Sequence, residues 1–236
     1  MPSPVTSRST ASTSTQPPQS SAISVLLPCY NEHDNLPIIT YLLFRELSAA
    51  DNIASFEIIV VDDNSPDGTG KVADRLASGL SGLQDHFSRD GKPVGSIKVV
   101  KRAGKLGLGS AYAAALEQAA HDYVCILDAD LSHHPRHIPE MLKALQCDPS
   151  LDICTGTRYA RSGGVAGWDF KRRVVSRGAN FLADILLAPG VSDLTGSFRV
   201  YRRRALQRLM PAIRTKGYTF QMEIMVRAKA MGMRVA

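Results

Sequence analysis

The chain has 236 residues, 44% of them hydrophobic, and 28 Lys and Arg against 22 Asp and Glu give a net charge of +6. That length suits one sizeable α/β domain and is short for two. The longest apolar stretch, Phe181 to Ala188, is broken by Asp184 and falls far short of the roughly 20 residues a membrane span requires, so no transmembrane helix is expected.

Residues 1–21 are dominated by Ser, Thr, Pro and Gln and carry too little apolar surface to offset the entropy of ordering, so a disordered tail is expected. It has neither the apolar core of a signal peptide nor the Arg content of a transit peptide. From residue 22 short β-branched runs alternate with helical periodicities. The pattern predicts strands at Ile23 to Leu27, Glu57 to Val61, Ile97 to Lys101, Tyr123 to Leu127 and Leu151 to Thr155. Helices are predicted at Leu36 to Ala49, Gly70 to Ser78, Gly109 to Ala120 and Pro135 to Gln146, with a Gly-rich connection before the third strand. Three more are predicted at Arg172 to Leu187, Arg203 to Ile213 and Phe220 to Met231. Strand alternating with helix implies βαβ units and a mainly parallel, Rossmann-like sheet flanked by helices, with residues 22–236 as a single domain. The last residues, Gly232 to Ala236, look like the start of a strand, so a C-terminally truncated domain is expected.

Charge is unevenly divided. Residues 1–156 hold 12 Lys and Arg against 18 Asp and Glu, whereas residues 157–236 hold 16 against 4. The clusters Lys171-Arg172-Arg173 and Arg202-Arg203-Arg204 suit either a solvated face or contact with substrate phosphates or anionic headgroups. Nucleic acid is not an expected partner, because these stretches lack interleaved aromatics and any zinc-finger, homeodomain or RRM pattern. Cys29, Cys125, Cys147 and Cys154 form no CxxC pair and fit a reduced, cytosol-facing setting better than a disulfide framework.

Two of the predicted strands stop abruptly at acids: Asp62-Asp63 and Asp128-Ala129-Asp130. Parallel strands that end this way deliver carboxylates to the crevice where open α/β sheets bind ligands. The i, i+2 spacing of Asp128 and Asp130 lets both share a hard cation, Mg²⁺ or Mn²⁺, which is commonly held by one or two carboxylates plus substrate phosphates. A helix cap is the structural alternative for Asp130. Asp63 is placed to accept N–H bonds from a nucleobase edge. Asn64 to Gly68 demand a turn, so Ser65 to Gly68 have a plausible purely structural role. Tyr30 is placed to flank a base and Glu32 to accept from a ribose or base, or else the Asn31-Glu32 turn caps the next helix. Lys105-Leu106-Gly107-Leu108-Gly109-Ser110 has the context of a phosphate loop, but Tyr112 occupies the third glycine position of the dinucleotide fingerprint. It reads as close backbone packing near the nucleotide, with Lys105 at its phosphates. His133-His134 reads as a loop held by hydrogen bonds rather than a metal site.

Taken in order, LLPCYNE, VVDDNSPDGT, KLGLGSAY, LDADLSHHP, GTRY, GGVAGWDFKR, SRGAN, DLTGSFRVY and GYTFQMEI resemble the dolichyl-phosphate mannosyltransferases of the GT-A, family-two glycosyltransferases from about Ile23 onward. The resemblance implies a GT-A fold and inverting transfer of mannose from GDP-mannose to dolichyl phosphate, for glycosylation and GPI-anchor synthesis. By motif it implies that Pro28, Tyr30, Glu32, Val61 and Asp63 hold the nucleoside, and that Asp128, Ala129 and Asp130 hold metal and diphosphate with Ser132 near the metal. Arg158 would bind phosphate or sugar, and Arg199 with Gln221 or Glu223 would line the acceptor or mannose side. It further implies small membrane-spanning partner subunits and a peripheral location on the cytosolic face of the endoplasmic reticulum membrane. Two departures stand out: Cys29 replaces a hydroxyl residue, and the family's later basic segment does not follow Ala236. A polyprenyl-phosphate glucosyltransferase using UDP-glucose and a catalytically silent scaffold subunit are the alternatives. Because a phosphate monoester with a second pKa of about 6 is largely ionised near neutral pH, no indispensable proton acceptor is expected among the side chains.

Overall fold

The computed structural model describes residues 20–90, 95–156, 196–215, 217 and 219–236. The expected tail, apart from Ser20 and Ser21, the helix at Arg172 to Leu187, Lys171-Arg172-Arg173 and Arg158 lie outside them.

In chain order the elements are β1 (Ser21–Cys29), α1 (Asn35–Ala49), β2 (Ile53–Asp62), α2 (Thr69–Ser78), α3 (Leu80–Phe87), β3 (Gly95–Lys101), α4 (Leu108–Gln118) and β4 (Tyr123–Ile126). A 3₁₀ turn (Pro135–His137) leads into α5 (Ile138–Cys147), followed by β5 (Ile153–Thr155) and β6 (Arg199–Arg202). The remaining helices are α6 (Arg203–Leu209), a second 3₁₀ turn (Met210–Ala212) and α7 (Phe220–Ala230). The sheet order is β3-β2-β1-β4-β6-β5. β1 to β4 are mutually parallel where they pair, and β6 runs antiparallel between β4 and β5. The expected mainly parallel sheet is therefore found, with one reversed strand.

Period-2 alternation in the strands builds two cores. From β1, Ile23, Val25 and Leu27 face Leu36, Ile39, Leu43, Phe44 and Leu47 of α1, while Leu26 faces the opposite layer with Ile59, Val61 and Ile126. α1, α2 and α5 cover the first face and α4, α6 and α7 the second. This two-sided burial explains why β1, β2 and β4 read as near-continuous apolar runs. The buried exception is Glu57, which accepts from Ser24 Oγ at 2.6 Å and Ala120 N–H at 2.7 Å and pairs with Lys98 Nζ at 2.6 Å. Burial pushes the Glu57 carboxyl up, but those partners outweigh it and hold it below its ordinary value.

α3 occupies what the sequence suggests is a Gly-rich connection. Gly79 and Gly82 weaken the helical signal, yet Leu80, Leu83 and Phe87 pack on the first core, and Phe87 stacks edge-on to Tyr41 at 5.7 Å. The strand-like pattern at the end of the sequence is present as pairing: Ala236 N–H donates to Ile153 O at 3.0 Å and Val235 bridges Ile153 in parallel. All four cysteines are unpaired, three of them buried. No helix among the described residues is long and apolar enough to cross a membrane.

Of the basic cluster Arg202-Arg203-Arg204, only Arg204 is exposed. Arg202 donates to the carbonyls of Leu151, Leu145 and Asp148, and Arg203 donates to Ala119 O at 3.0 Å. These two arginines tie β6 and the start of α6 to the C-terminal ends of α5 and α4, so neither the solvated-face nor the phosphate-contact reading describes them.

Candidate active site

Register brings the acids together. β1 lies between β2 and β4, with Cys29 opposite Asp62 and Leu26 opposite Ile126. β1–β2–β3 extend one way and β4 the other, so the topological switch point of the sheet falls at the C-terminal end of β1. Asp63 and Asp128 follow strands one place either side of β1, about 10 Å apart across the sheet at its usual strand spacing. Glu32, in the loop after β1, is half-buried between them. Burial raises its carboxyl above its ordinary value and Asp130, Asp67 and Asp128 raise it further, while a bond from Asn35 Nδ2 at 2.7 Å lowers it. The register, with Glu32 following β1 and the Asp128/Asp130 couple following the adjacent parallel β4, places them at the same end of the sheet. Cys29 joins Asp63 to the same region: burial raises its thiol far above the ordinary value, and Glu32, Asp62, Asp63 and Asp67 add to the shift.

The loop after β1 is latched by the loop after β2. Asn31 N–H donates to Ser65 Oγ at 3.1 Å, Glu32 N–H to Thr69 Oγ1 at 2.9 Å, and His33 N–H to Asp67 Oδ2 at 3.0 Å. Asp62 accepts from the Ser65 hydroxyl at 2.6 Å, and Thr69 donates through both its N–H and hydroxyl to Asp67. Asp62, Ser65, Asp67 and Thr69 thus build the turn, as the Pro-Asp-Gly chemistry suggests, and three successive backbone donors, those of Asn31, Glu32 and His33, are satisfied by it. Asn31, Asn64 and Leu131, one after each of β1, β2 and β4, have φ of 60°, 58° and 62°. Asn tolerates this left-handed region through local hydrogen bonding, whereas Leu131 holds it at a cost of about 1 kcal/mol or more.

Asp63 points to a partner that sequence reasoning missed. Arg102, just past β3, brings Nε within 3.0 Å of Asp63 Oδ1, with side chains only 8% and 9% exposed. The approach is that of an ion pair off the line of a hydrogen bond, and neither Asp63 Oδ1 nor any guanidinium nitrogen of Arg102 has a hydrogen-bond partner among the described residues. Burial raises the Asp63 carboxyl, Arg102 lowers it and Asp62 raises it, with a net rise. A buried acceptor beside a buried fork of donors suits a ligand edge that carries both. The sequence signal was present, an Arg one residue beyond a strand end, but nothing in the pattern paired it with Asp63.

Tyr30 is exposed at the rim, and Lys105 Nζ sits 4.1 Å above its ring centroid. The Gly-rich turn owes its glycines to other causes than phosphate binding. Gly107 has φ 96°, which only glycine adopts readily, and a Cβ on Gly109 would lie 2.7 Å from the Phe220 ring. Packing near the site is therefore found, and Lys105 lies over Tyr30. Pro28 is half-buried, while the side chains of Val61 and Ala129 are enclosed in the two cores, leaving only their backbone for any ligand.

Asp128 is held from within. Ser197 Oγ donates to its Oδ2, and Tyr112 Oη donates to its Oδ1 at 3.3 Å. Burial raises its carboxyl, the Ser197 bond and the nearby His133 lower it, and Asp130 raises it again, for a net rise. Asp130 is exposed and accepts from Ser132 N–H at 3.0 Å through Oδ1; the Ser132 hydroxyl meets His133 Nδ1 at 3.0 Å. His134 Nδ1 accepts from Arg136 N–H, so the paired histidines are the hydrogen-bonded loop the sequence suggests. No group of three or more His, Cys, Asp or Glu among the described residues converges as a metal cage.

Arg199 begins β6 opposite Ile126 and is fully buried. Its Nη1 donates to Gln221 Oε1 at 2.9 Å, and Gln221 Nε2 donates to Tyr112 Oη at 3.3 Å. Glu223, by contrast, faces the loop before α7, accepting from Arg214 N–H, Thr215 N–H and Oγ1 and Arg227 Nε. Of the FQME pair, Gln221 reaches the site and Glu223 serves the fold. Tyr112 and Ser197 were also invisible in the pattern, being small or aromatic positions without a spacing signature.

The sequence matches the domain described as Glycosyl transferase family 2 over residues 24–210. Polyprenol monophosphomannose synthase of Mycolicibacterium smegmatis is 36% identical over 208 residues, covering 86% of this chain and 71% of the relative. Undecaprenyl-phosphate mannosyltransferase of Micrococcus luteus is 31% identical over 217 residues, covering 90% and 80%. Among solved structures, a mannosyltransferase from Pyrobaculum calidifontis in complex with GDP-Man and Mn²⁺ aligns with a TM-score of 0.59 at 21% identity, over 93% of this chain and 56% of that one. Glucosyl-3-phosphoglycerate synthase from Mycobacterium tuberculosis, in complex with Mg²⁺ and UDP, aligns with a TM-score of 0.63 at 21% identity, over 92% and 68%. These neighbours share the GT-A fold. On the sequence match and the two relatives together, the chain belongs to glycosyl transferase family 2.

Proposed function

We propose that this chain transfers mannose from GDP-mannose to a polyprenyl phosphate, dolichyl phosphate in particular, with inversion at the anomeric carbon. The observation that carries the reading is the gathering of Glu32, Asp63, Asp128 and Asp130 from three strand ends at the switch point of the sheet. Two relatives named for mannosyl transfer to polyprenyl phosphates support the reaction class.

Mg²⁺ or Mn²⁺ fits the residues present. Asp128 and Asp130 offer hard oxygen donors, and two carboxylates without a full cage suit an ion that shares its shell with substrate phosphates. Such an ion, when bound, supplies positive charge opposite the departing diphosphate. The chain's own groups do the rest. Asp63 and Arg102 present an acceptor and donors to a base edge, and guanine offers N–H donors beside an acceptor oxygen. Tyr30 flanks the base, and Glu32 accepts from the nucleoside. The acceptor's ionised phosphate oxygen forms the bond to the anomeric carbon as the bond to the GDP oxygen breaks, so positioning replaces proton abstraction. Arg158 and Ser132 complete the proposed set, toward phosphate or sugar and beside the metal.

The same reading places residues 22–236 in one catalytic domain behind a Ser- and Pro-rich tail. It puts the work at the cytosolic face of the endoplasmic reticulum membrane, with small membrane-spanning subunits as partners. The test is transfer of labelled sugar to dolichyl phosphate by the purified chain. Mannose transfer from GDP-mannose supports the reading, and preference for UDP-glucose as donor, or no transfer from any donor, contradicts it.

A further inference from the structure

Among the described residues Arg199 is the largest fully buried side chain, and its place is unusual for a residue expected to meet substrate. Its Nη1 donates to Gln221 Oε1 at 2.9 Å. A guanidinium only donates, so this bond fixes which end of the Gln221 amide is oxygen. The amide nitrogen then points the other way and donates to Tyr112 Oη at 3.3 Å. Tyr112, with its lone pair so engaged, has one proton, and gives it to Asp128 Oδ1 at 3.3 Å. Ser197 donates to the other oxygen. Every bond in the series runs in the same direction, and each member sits on a different element: β6, α7, α4 and the end of β4.

We propose that Arg199, Gln221 and Tyr112 form a one-way hydrogen-bond relay that positions the Asp128 carboxylate for a divalent cation, which makes Arg199 a positioning residue and not a substrate contact. The relay rests on the proposed metal role of Asp128. Both bonds at the Tyr112 hydroxyl are long, so the relay orients the carboxylate more than it polarises it. The fully buried Tyr112 ring, packed 5.3 Å from Phe220, keeps the hydroxyl in place. With each oxygen accepting one bond from the protein, each keeps a further lone pair for a cation.

The relay makes a prediction opposite in sign to simple electrostatics. Gln221→Glu is isosteric and still accepts from Arg199, but it offers Tyr112 an acceptor where the amide offered a donor. The tyrosine proton turns to residue 221 and Asp128 Oδ1 loses its tether. Mn²⁺ binding, measured by electron paramagnetic resonance of the free ion, should weaken about tenfold in Gln221→Glu, in line with changes at groups that orient metal ligands. Added negative charge alone would tighten it. Tyr112→Phe, which keeps the ring packing, should weaken Mn²⁺ to a similar extent, and a thermal melt of each variant checks that it is folded. Unchanged or tighter Mn²⁺ binding in Gln221→Glu and Tyr112→Phe overturns the relay. Asp128→Ala separates the two levels: if it abolishes Mn²⁺ binding while the relay variants do not weaken it, the metal role stands and the relay falls. If Asp128→Ala binds Mn²⁺ like the wild type, both fall.

Discussion

Asp63 and Arg102 form a buried pair whose two halves should be strongly non-additive. Charges some 4 Å apart attract by about 4 kcal/mol at an effective dielectric near 20, while withdrawal from water costs each ion several kcal/mol. The net rise of the Asp63 carboxyl shows that, on this side of the pair, desolvation outweighs the attraction of Arg102. Asp63→Asn leaves the guanidinium buried and unpaired, and should cost about 3–5 kcal/mol. Arg102→Met should cost less, because the lone carboxyl can take up a proton. The double variant, with no buried charge, should be within about 1 kcal/mol of wild type, so the coupling is close to the sum of the two single costs, at least about 3–5 kcal/mol. Urea unfolding of the four proteins measures it. A folded-state value raised above the unfolded one means the native state holds the proton longer, so Asp63 costs stability as pH rises through its folded value, and stability returns as pH falls toward the unfolded value. Asp63→Asn should abolish that component. Additivity of the two single changes within about 0.5 kcal/mol would refute the pairing.

Two further outcomes follow from named contacts. Gly109→Ala puts a Cβ 2.7 Å from the Phe220 ring and 3.2 Å from Thr215 O, so the usual helix gain of about 1 kcal/mol should be outweighed by overpacking of about 1–3 kcal/mol; a raised melting temperature would show that α4 and α7 pack less closely. Glu223, although burial pushes it up, is held down to about 2 from an ordinary 4.5 by Thr215, Arg227 and Arg214, so its stabilisation is full above about 4.5 and lost as pH falls toward 2. Glu223→Gln should therefore flatten the acid limb of a stability-versus-pH curve, and an unchanged limb would count against the geometry.

The parallel part of the sheet was legible because burial on both faces writes itself as unbroken Val and Ile runs, and the acids that end those runs mark the crevice edge. β6 was not legible. Its four residues, Arg-Val-Tyr-Arg, read as polar, yet Arg199 is fully buried and Arg202 spends its guanidinium on backbone carbonyls. Both arginines hide a strand because they bond to partners distant in sequence. α3 was missed for the opposite reason: its glycines obscured a helix held by tertiary contacts. At the candidate site, residues that end strands were found, whereas Arg102, Tyr112 and Ser197, which act through contacts 16 to 69 residues away in the case of Asp128, were not. Asp62 was grouped with Asp63, but adjacent residues on a strand point to opposite sides, and Asp62 turns to Ser65.

The central claim is that Asp128 and Asp130, beyond the end of β4, hold a cation that grips the donor's diphosphate, in the same crevice as Asp63. Calorimetric titration of GDP-mannose, with Mn²⁺ or with chelator, tests it most directly. Removing the ion should weaken binding to the wild type by about tenfold or more and have no further effect on Asp128→Ala, as expected for a charge-neutralising contact worth at least about 1.4 kcal/mol. Equal affinity with and without the ion in the wild type would contradict it.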